Sequence, residues 1–229
     1  MKVSAIIVAA GSGTRLGHGS PKAFVRIGSA TLLFRTLRTV RAVTSIEEAV
    51  ITAPGGMEKA ARNEVNVAGL EIPVKITPGG VERQDSVRIA LALTSAEADV
   101  VLVHDAARPF ATPAMFSACI DMAAREGGAI VAIPLADTLK RVRGQSIDST
   151  LARAGLWQAQ TPQAFQRAFL IDAHNRAVRD KITATDDADL VERLGATVQV
   201  VEGSALNLKI TTPDDLLIAE AIAARIDRE

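Results

Sequence analysis

The sequence predicts an α/β protein built on a largely parallel sheet. Apolar strand-like runs alternate with helix-length amphipathic runs along nearly all of the 229 residues, the order expected when helices cross over between parallel strands. Two of the runs, Val3–Ala10 and Asp99–Asp105, are almost wholly apolar, as buried parallel strands are. The first feeds straight into a glycine-rich turn, and such turns lie where open α/β sheets hold their ligands.

The elements follow in order. After the first strand and its loop, Thr31–Val43 places Leu32, Leu33, Leu37 and Val40 on one helical face, with Arg35, Arg38 and Arg41 on a solvated one. Glu48–Ala53 is a strand stopped by Pro54-Gly-Gly56, and Met57–Val67 a helix. Pro73–Thr77 is a strand ended by Pro78-Gly79-Gly80. A helix then runs to Leu93, with Asp85 or Ser86 suited to cap it. Asp99–Asp105 is a strand, Pro113–Glu126 a helix and Gly128–Pro134 a buried strand. The rhythm then changes: from Asp137 the chain alternates roughly as a hairpin with a turn near Gly144. This excursion buries little of its own surface, and the lone Trp157 lies at its base. Gln163–Val178 and Asp187–Leu194 read as helices, Thr197–Glu202 and Asn207–Thr211 as strands. Pro213 starts a last helix through Ala224, with Thr212 as its N-cap.

Composition narrows the function. Hydrophobic residues make up 48% but aromatic ones only 3%, so the core is aliphatic. Lys plus Arg and Asp plus Glu balance at 26 each, so any anion site must be a local concentration of charge, and binding to nucleic acid or a membrane surface in bulk is disfavoured. The single cysteine, Cys119, excludes an intramolecular disulfide and reads as a small buried apolar residue. No apolar run reaches the length of a membrane span, and no leader pattern precedes the first strand, so a cytoplasmic location is expected.

The turn after the first strand carries the chemistry. Gly11 and Gly13 leave backbone N–H groups free to approach phosphate oxygens, and Arg15 and Lys22 stand just beyond as cations. A dinucleotide fingerprint fails because Leu16 occupies its third glycine position, and no Gly-Lys-Ser/Thr exists for a P-loop. What remains suits a nucleoside triphosphate. Asp105, at the end of an apolar strand, is placed for a metal ion or substrate, an ion pair with Arg108 being its plain alternative. His104 reads as structural, while His18 and His174 read as surface residues.

Taken together, Ala9-Ala-Gly-Ser-Gly-Thr-Arg15, Pro21-Lys22, Gly79-Gly80 with Arg83-Gln-Asp-Ser-Val87, and His104-Asp-Ala-Ala-Arg-Pro109 resemble the 2-C-methyl-D-erythritol 4-phosphate cytidylyltransferases. So do Asp137-Thr-Leu-Lys140, Leu156-Trp-Gln-Ala-Gln-Thr-Pro-Gln163, Thr185-Asp186 and Asn207-Leu-Lys209. The family pattern is departed from at Ala23, Gly28-Ser29-Ala30, Val81 and Ala90. The resemblance implies transfer of the cytidylyl group of CTP to methylerythritol 4-phosphate with release of pyrophosphate and with Mg²⁺. It implies a Rossmann-like nucleotidyltransferase fold over 1–229 as a single domain, with a protruding β-hairpin arm at about 137–158 that interlocks two copies into a homodimer. Arg15, Lys22, Arg153 and Lys209 would be catalytic. Ala9, Ala10, Gly11, Gly13, Gly80 and Ser86 would complete the CTP site, and Asp105 would hold the metal ion. Asp105, Arg108, Thr138, Arg153, Thr185 and Lys209 would meet the acceptor, with Arg153, on the arm, placed to reach the partner copy's site in a dimer. Two alternatives stand beside this: a ribitol 5-phosphate cytidylyltransferase, and a nucleotide-binding regulator without turnover.

Overall fold

The computed structural model describes residues 1–17 and 19–228; His18, expected at the surface, lies outside them. In chain order the strands and helices are β1 (Val3–Val8), β2 (Arg26–Ile27), β3 (Ala30–Thr31), α1 (Leu32–Arg41), β4 (Ile46–Ala53), α2 (Glu58–Ala68), β5 (Val74–Pro78), α3 (Arg83–Leu91) and β6 (Val100–Asp105). They continue with α4 (Pro113–Glu126), β7 (Gly128–Pro134), β8 (Leu139–Arg143), β9 (Ser146–Leu151), β10 (Trp157–Gln166), α5 (Arg167–Asp180), α6 (Asp187–Glu192), β11 (Gln199–Glu202) and α7 (Pro213–Ile226).

Seven strands form one sheet in the order β11-β7-β10-β6-β1-β4-β5. The β1–β4, β1–β6, β4–β5 and β7–β11 pairs are parallel, and β10 runs antiparallel to both neighbours. Because successive side chains of a strand point to opposite faces, the apolar strands divide between two cores. Ile7, Ile51 and Leu102 pack with residues of α1, α2 and α4 such as Leu37, Val65 and Phe116. Ile6, Val50 and Val103 pack with residues of α3, α5 and α6 such as Val87, Leu170 and Val191. Helices therefore cover both faces, which is why the strands could be apolar throughout. A smaller cluster seats α7 on the β2–β3 hairpin through Val25, Ile27, Leu32, Ala219 and Ala223.

Four expectations are corrected. The helix expected from Gln163 begins at Arg167, because Trp157–Gln166 is a strand. Its polar residues and Pro162 conceal it, and its ladder to β7 is irregular between Ala159 and Gln163, around that proline. Asn207–Thr211 forms no ladder; Asn207 Nδ2 instead donates to Gln160 Oε1 and to the Thr161 carbonyl, each at 3.0 Å, and Ile210 N–H to the Ala107 carbonyl at 2.9 Å. His174 is buried in α5, its Nε2 at 3.1 Å from Asp187 Oδ1 at the start of α6. Arg35 also leaves the solvated face it was assigned, pairing with Asp227 at 2.7 Å beside α7. Other expectations hold. Thr212 accepts from the N–H group of Asp215 as an N-cap, Asp85 Oδ2 accepts from Glu82 N–H at the start of α3, and Cys119 is fully buried, its thiol pushed up to about 12 by burial.

His104 locks the end of β6. Its Nε2 lies 3.1 Å from the Arg108 carbonyl and its Nδ1 3.0 Å from Thr161 Oγ1, which in turn accepts from Asp105 N–H at 3.1 Å. A carbonyl only accepts, so Nε2 carries the proton and Nδ1 accepts from the Thr161 hydroxyl. Burial pushes the imidazole down to about 4, against the opposing charge of Asp105. Below its ordinary value of 6.5 the histidine of the unfolded chain gains a proton that the native site refuses until about pH 4. Stability therefore falls as pH drops through that window, by roughly 3 kcal/mol. Urea unfolding of the wild type between pH 7 and 4.5 should show this loss, and His104→Gln should flatten it. An unchanged slope in the variant would assign the pH dependence to other groups.

Candidate active site

The site lies where the crossovers from β1 and β6 diverge, at the carboxyl ends of those strands. Val8 and Asp105 are register partners, so the loop leaving β1 and the last carboxylate of β6 are side by side. Such a switch point opens a crevice by topology alone. The crevice here has a volume of about 430 Å³ and is lined from the β1 loop, the start of α3, the end of β6 and the Lys209 segment.

The β1 loop is held by its backbone. Ala9 N–H donates to the Thr52 carbonyl at 2.9 Å, and Lys22 N–H to the Gly11 carbonyl at 3.3 Å. Gly13 has φ 73, and a Cβ there would come within 3.0 Å of Lys22 Cβ, so a side chain would be strained and would push Lys22 away. Gly11 is different: apart from its chain neighbours, no atom of the described residues lies within 4 Å of where its Cβ would stand. On the opposite wall, a Cβ at Gly79 would meet Ala10 Cβ at 2.2 Å, and one at Gly80 would meet Asp85 Cβ at 2.3 Å. Ser86 Oγ accepts from Gly80 N–H at 3.0 Å and donates to the Glu82 carbonyl at 3.2 Å, fixing that turn.

Ten of the residues singled out from the sequence line the crevice: Ala9, Ala10, Gly11, Gly13, Arg15, Lys22, Gly80, Ser86, Asp105 and Lys209. Arg15 is exposed on a short 3-10 turn, Thr14–Leu16, anchored by buried Leu16. Among the described residues, Arg108, Thr138, Arg153 and Thr185 are not part of its lining. Arg108 donates to the carbonyls of Asn207 at 2.8 Å and Ala159 at 3.2 Å, tying the Lys209 segment to β10. Thr138 and Thr185 are exposed, and Arg153 is exposed with its guanidinium on the Ala136 carbonyl.

Asp105 is the electrostatic centre, and its partners are not Arg108. Arg83 Nε donates to Oδ1 at 2.9 Å and Lys209 Nζ to Oδ2 at 2.6 Å. Burial pushes this carboxyl up, but the charges of Arg83 and Lys209 outweigh it and hold the group well below the usual carboxylate range. Asp105 is therefore an anion at every physiological pH. Burial is also the main cause that brings Lys22 down to about 8; the charge of Lys209 adds to it, Asp105 opposes, and Arg15 adds again. An amine held in a pocket with surplus positive charge gains most when a polyanion arrives.

Sequence reasoning quoted Arg83 within a family motif at a helix start but gave it no role in the site. The signal was there: a cation in the first turn of α3 is disfavoured by the helix dipole, so its position needs another reason, and Asp105 supplies it. Thr161 was missed because β10 was not seen.

A sequence model of the family described as IspD, 2-C-methyl-D-erythritol 4-phosphate cytidylyltransferase, matches residues 3–225. A relative of that name from Deinococcus radiodurans is 45% identical over 99% of this chain and 91% of its own. One from Syntrophus aciditrophicus is 43% identical over 96% and 95%. The crystal structure of the Thermus thermophilus enzyme of that name superposes with a TM-score of 0.82 at 36% identity, covering 98% of this chain and 100% of the other. That of 4-diphosphocytidyl-2C-methyl-D-erythritol synthase from Anaerococcus prevotii gives 0.87 at 29% identity, covering 98% and 96%. With its doubly covered sheet and its glycine-walled, cation-rich crevice, the chain belongs to the 2-C-methyl-D-erythritol 4-phosphate cytidylyltransferase family.

Proposed function

We propose that this chain transfers the cytidylyl group of CTP to 2-C-methyl-D-erythritol 4-phosphate, giving 4-diphosphocytidyl-2-C-methyl-D-erythritol and pyrophosphate, in isoprenoid precursor synthesis. The observation that carries it is Lys22, Arg15 and Lys209 facing one crevice around the buried, ionised carboxylate of Asp105. The acceptor is a phosphate monoester whose second pKa is near 6, so at neutral pH it needs no general base. The barrier lies in bringing two polyanions together and stabilising the charge that builds on the α-phosphate, a matter of position and electrostatics. In this reading Arg15 and Lys22 hold the triphosphate and stabilise that charge. Gly11 and Gly13 let it approach the backbone, and Gly80 and Ser86 meet the cytidine end. Lys209 beside Asp105 receives the acceptor phosphate. The named relatives favour methylerythritol phosphate over ribitol phosphate.

The donor set suits magnesium brought in by the nucleotide. A carboxylate offers about four acceptor positions; Arg83 and Lys209 use two on Asp105, leaving capacity for one cation. Mg²⁺ favours one or two carboxylates with substrate phosphates, and the described residues hold no cluster of three or more His, Cys, Asp or Glu. Asp105 would hold the ion, which when bound neutralises charge on the phosphates.

The arm supports a homodimer. Val142 and Ile147 on β8 and β9, and Leu156 and Trp157 at the base, are exposed apolar residues on an element with little core of its own. The acceptor residues Thr138 and Arg153 ride on it, so in a dimer they can serve the partner's crevice.

Four outcomes are expected. Protein with CTP, Mg²⁺ and methylerythritol 4-phosphate should release pyrophosphate; release with ribitol 5-phosphate alone would replace the acceptor. The profile of kcat/KM for CTP should fall as pH rises through about 8, where Lys22 loses its proton, and Lys22→Arg should abolish that descending limb because arginine stays charged. Lys22→Ala should lower kcat by orders of magnitude; a change confined to KM would make Lys22 a binding residue only. Sedimentation should give a dimer, and removal of residues 139–150 a monomer; a wild-type monomer at micromolar concentration would contradict the arm's role.

A further inference from the structure

Behind Asp105 the charges continue inward, away from the crevice. Arg83 Nε donates to Asp105 Oδ1 at 2.9 Å, and Arg83 Nη1 donates to Asp187 Oδ2 at 2.8 Å. Asp187, the first residue of α6, is buried, and its other oxygen lies 3.1 Å from Nε2 of buried His174. Arg83 Nη2 is buried and has no partner among the described residues. The chain therefore reads Lys209, Asp105, Arg83, Asp187, His174 from crevice to interior, with cation and carboxylate alternating from Lys209 to Asp187.

An arginine left alone with one carboxylate closes on it with two parallel hydrogen bonds. Here the guanidinium is divided. One nitrogen serves Asp105, another serves Asp187, and Nη2 between them serves neither. A buried carboxylate paired with arginine is a poor way to gain stability, since apolar residues of the same volume often do as well or better. Asp187 is better explained by what it does to Arg83.

We propose that Asp187 is a positioning residue of the transfer reaction: by engaging Arg83 Nη1 it limits that guanidinium to a single hydrogen bond with Asp105, which leaves the crevice carboxylate with capacity for the metal–nucleotide complex. The proposal rests on the nucleotidyl-transfer reading of this crevice. Without Asp187, Arg83 can turn its Nε–Nη2 edge onto Asp105 and take a further acceptor position there, and the metal ion must then compete with an arginine. His174 holds the second oxygen of Asp187, so the carboxylate is fixed from behind and does not rotate toward solvent.

The test is Asp187→Asn, which keeps the shape and removes the charge, with Asp187→Glu as the charge-retaining control. Calorimetric titration with CTP, with and without Mg²⁺ and with no acceptor present, reads the effect without turnover. The expected result is unchanged CTP affinity in the absence of Mg²⁺ and loss of most of the affinity that Mg²⁺ adds in the wild type. In assays kcat should fall roughly 10- to 100-fold with a small change in KM for CTP, and Asp187→Glu should recover most of it. Wild-type magnesium response and kcat in Asp187→Asn would overturn the proposal. So would equal losses in both variants accompanied by lower melting temperatures, which mark a purely structural residue. If Asp187→Asn does not fold, Arg83→Lys replaces it. Lysine keeps a cation beside Asp105 and cannot close on it bidentately, so metal-added CTP affinity should be retained while kcat falls; loss of that affinity would overturn the proposal. A wild type that binds CTP and releases no pyrophosphate would refute the reaction assignment and leave the calorimetric comparison decisive for Asp187.

Discussion

The architecture of the crevice depends on one buried carboxylate held between two cations. Asp105 ends the central strand β6 with almost no access to water, and an unpaired charge there would be intolerable. Arg83 and Lys209 come to it from opposite parts of the chain, one opening α3 and the other on a segment close to the C-terminal helix. To deliver Lys209, that segment is fastened by Asn207 and Arg108 to β10 and by Ile210 to the residues after β6. To present Asp105 itself, His104 and Thr161 fix the backbone on either side. Much of the polar bonding in the interior serves this one side chain.

The balance of charge explains why the crevice suits a polyanion. Asp105 is already compensated, so Lys22 and Arg15 face the opening without a carboxylate of their own among the described hydrogen bonds and ion pairs. Burial, and after it the repulsion of Lys209 and then Arg15, is why the Lys22 amine sits low. Phosphate oxygens relieve that repulsion on arrival, and binding and protonation reinforce one another.

Much of the fold was legible in the sequence because buried parallel strands and amphipathic helices leave strong periodic traces. Pro113–Glu126 and Gly128–Pro134 appear with the same bounds in sequence and structure. What escaped was held by side chains rather than by pattern. β10 carries Gln160, Thr161 and Gln163 as buried polar residues, so alternation of apolar and polar residues says nothing about it. The Asn207–Thr211 segment looks like a strand and is instead an extended run pinned by side-chain amides. The nucleotide wall was readable from glycines and cations at short spacing, whereas Arg83, Asp187 and His174 meet across 13 to 104 positions of sequence separation and announce themselves only in three dimensions.

The arm sits in an unusual place. β7 and β10 are antiparallel neighbours, and Pro134 faces Trp157 across their ladder. The arm is thus the enlarged turn of an ordinary hairpin, with both of its ends clamped one rung apart by the main sheet. Loop-closure entropy grows only slowly with length, so the sheet is nearly indifferent to whether this turn is long or short. The arm can lengthen, shorten or change its surface with little cost to the framework that carries Asp105. Sequence and length can therefore vary here on a part of the molecule that the main sheet does not rely on.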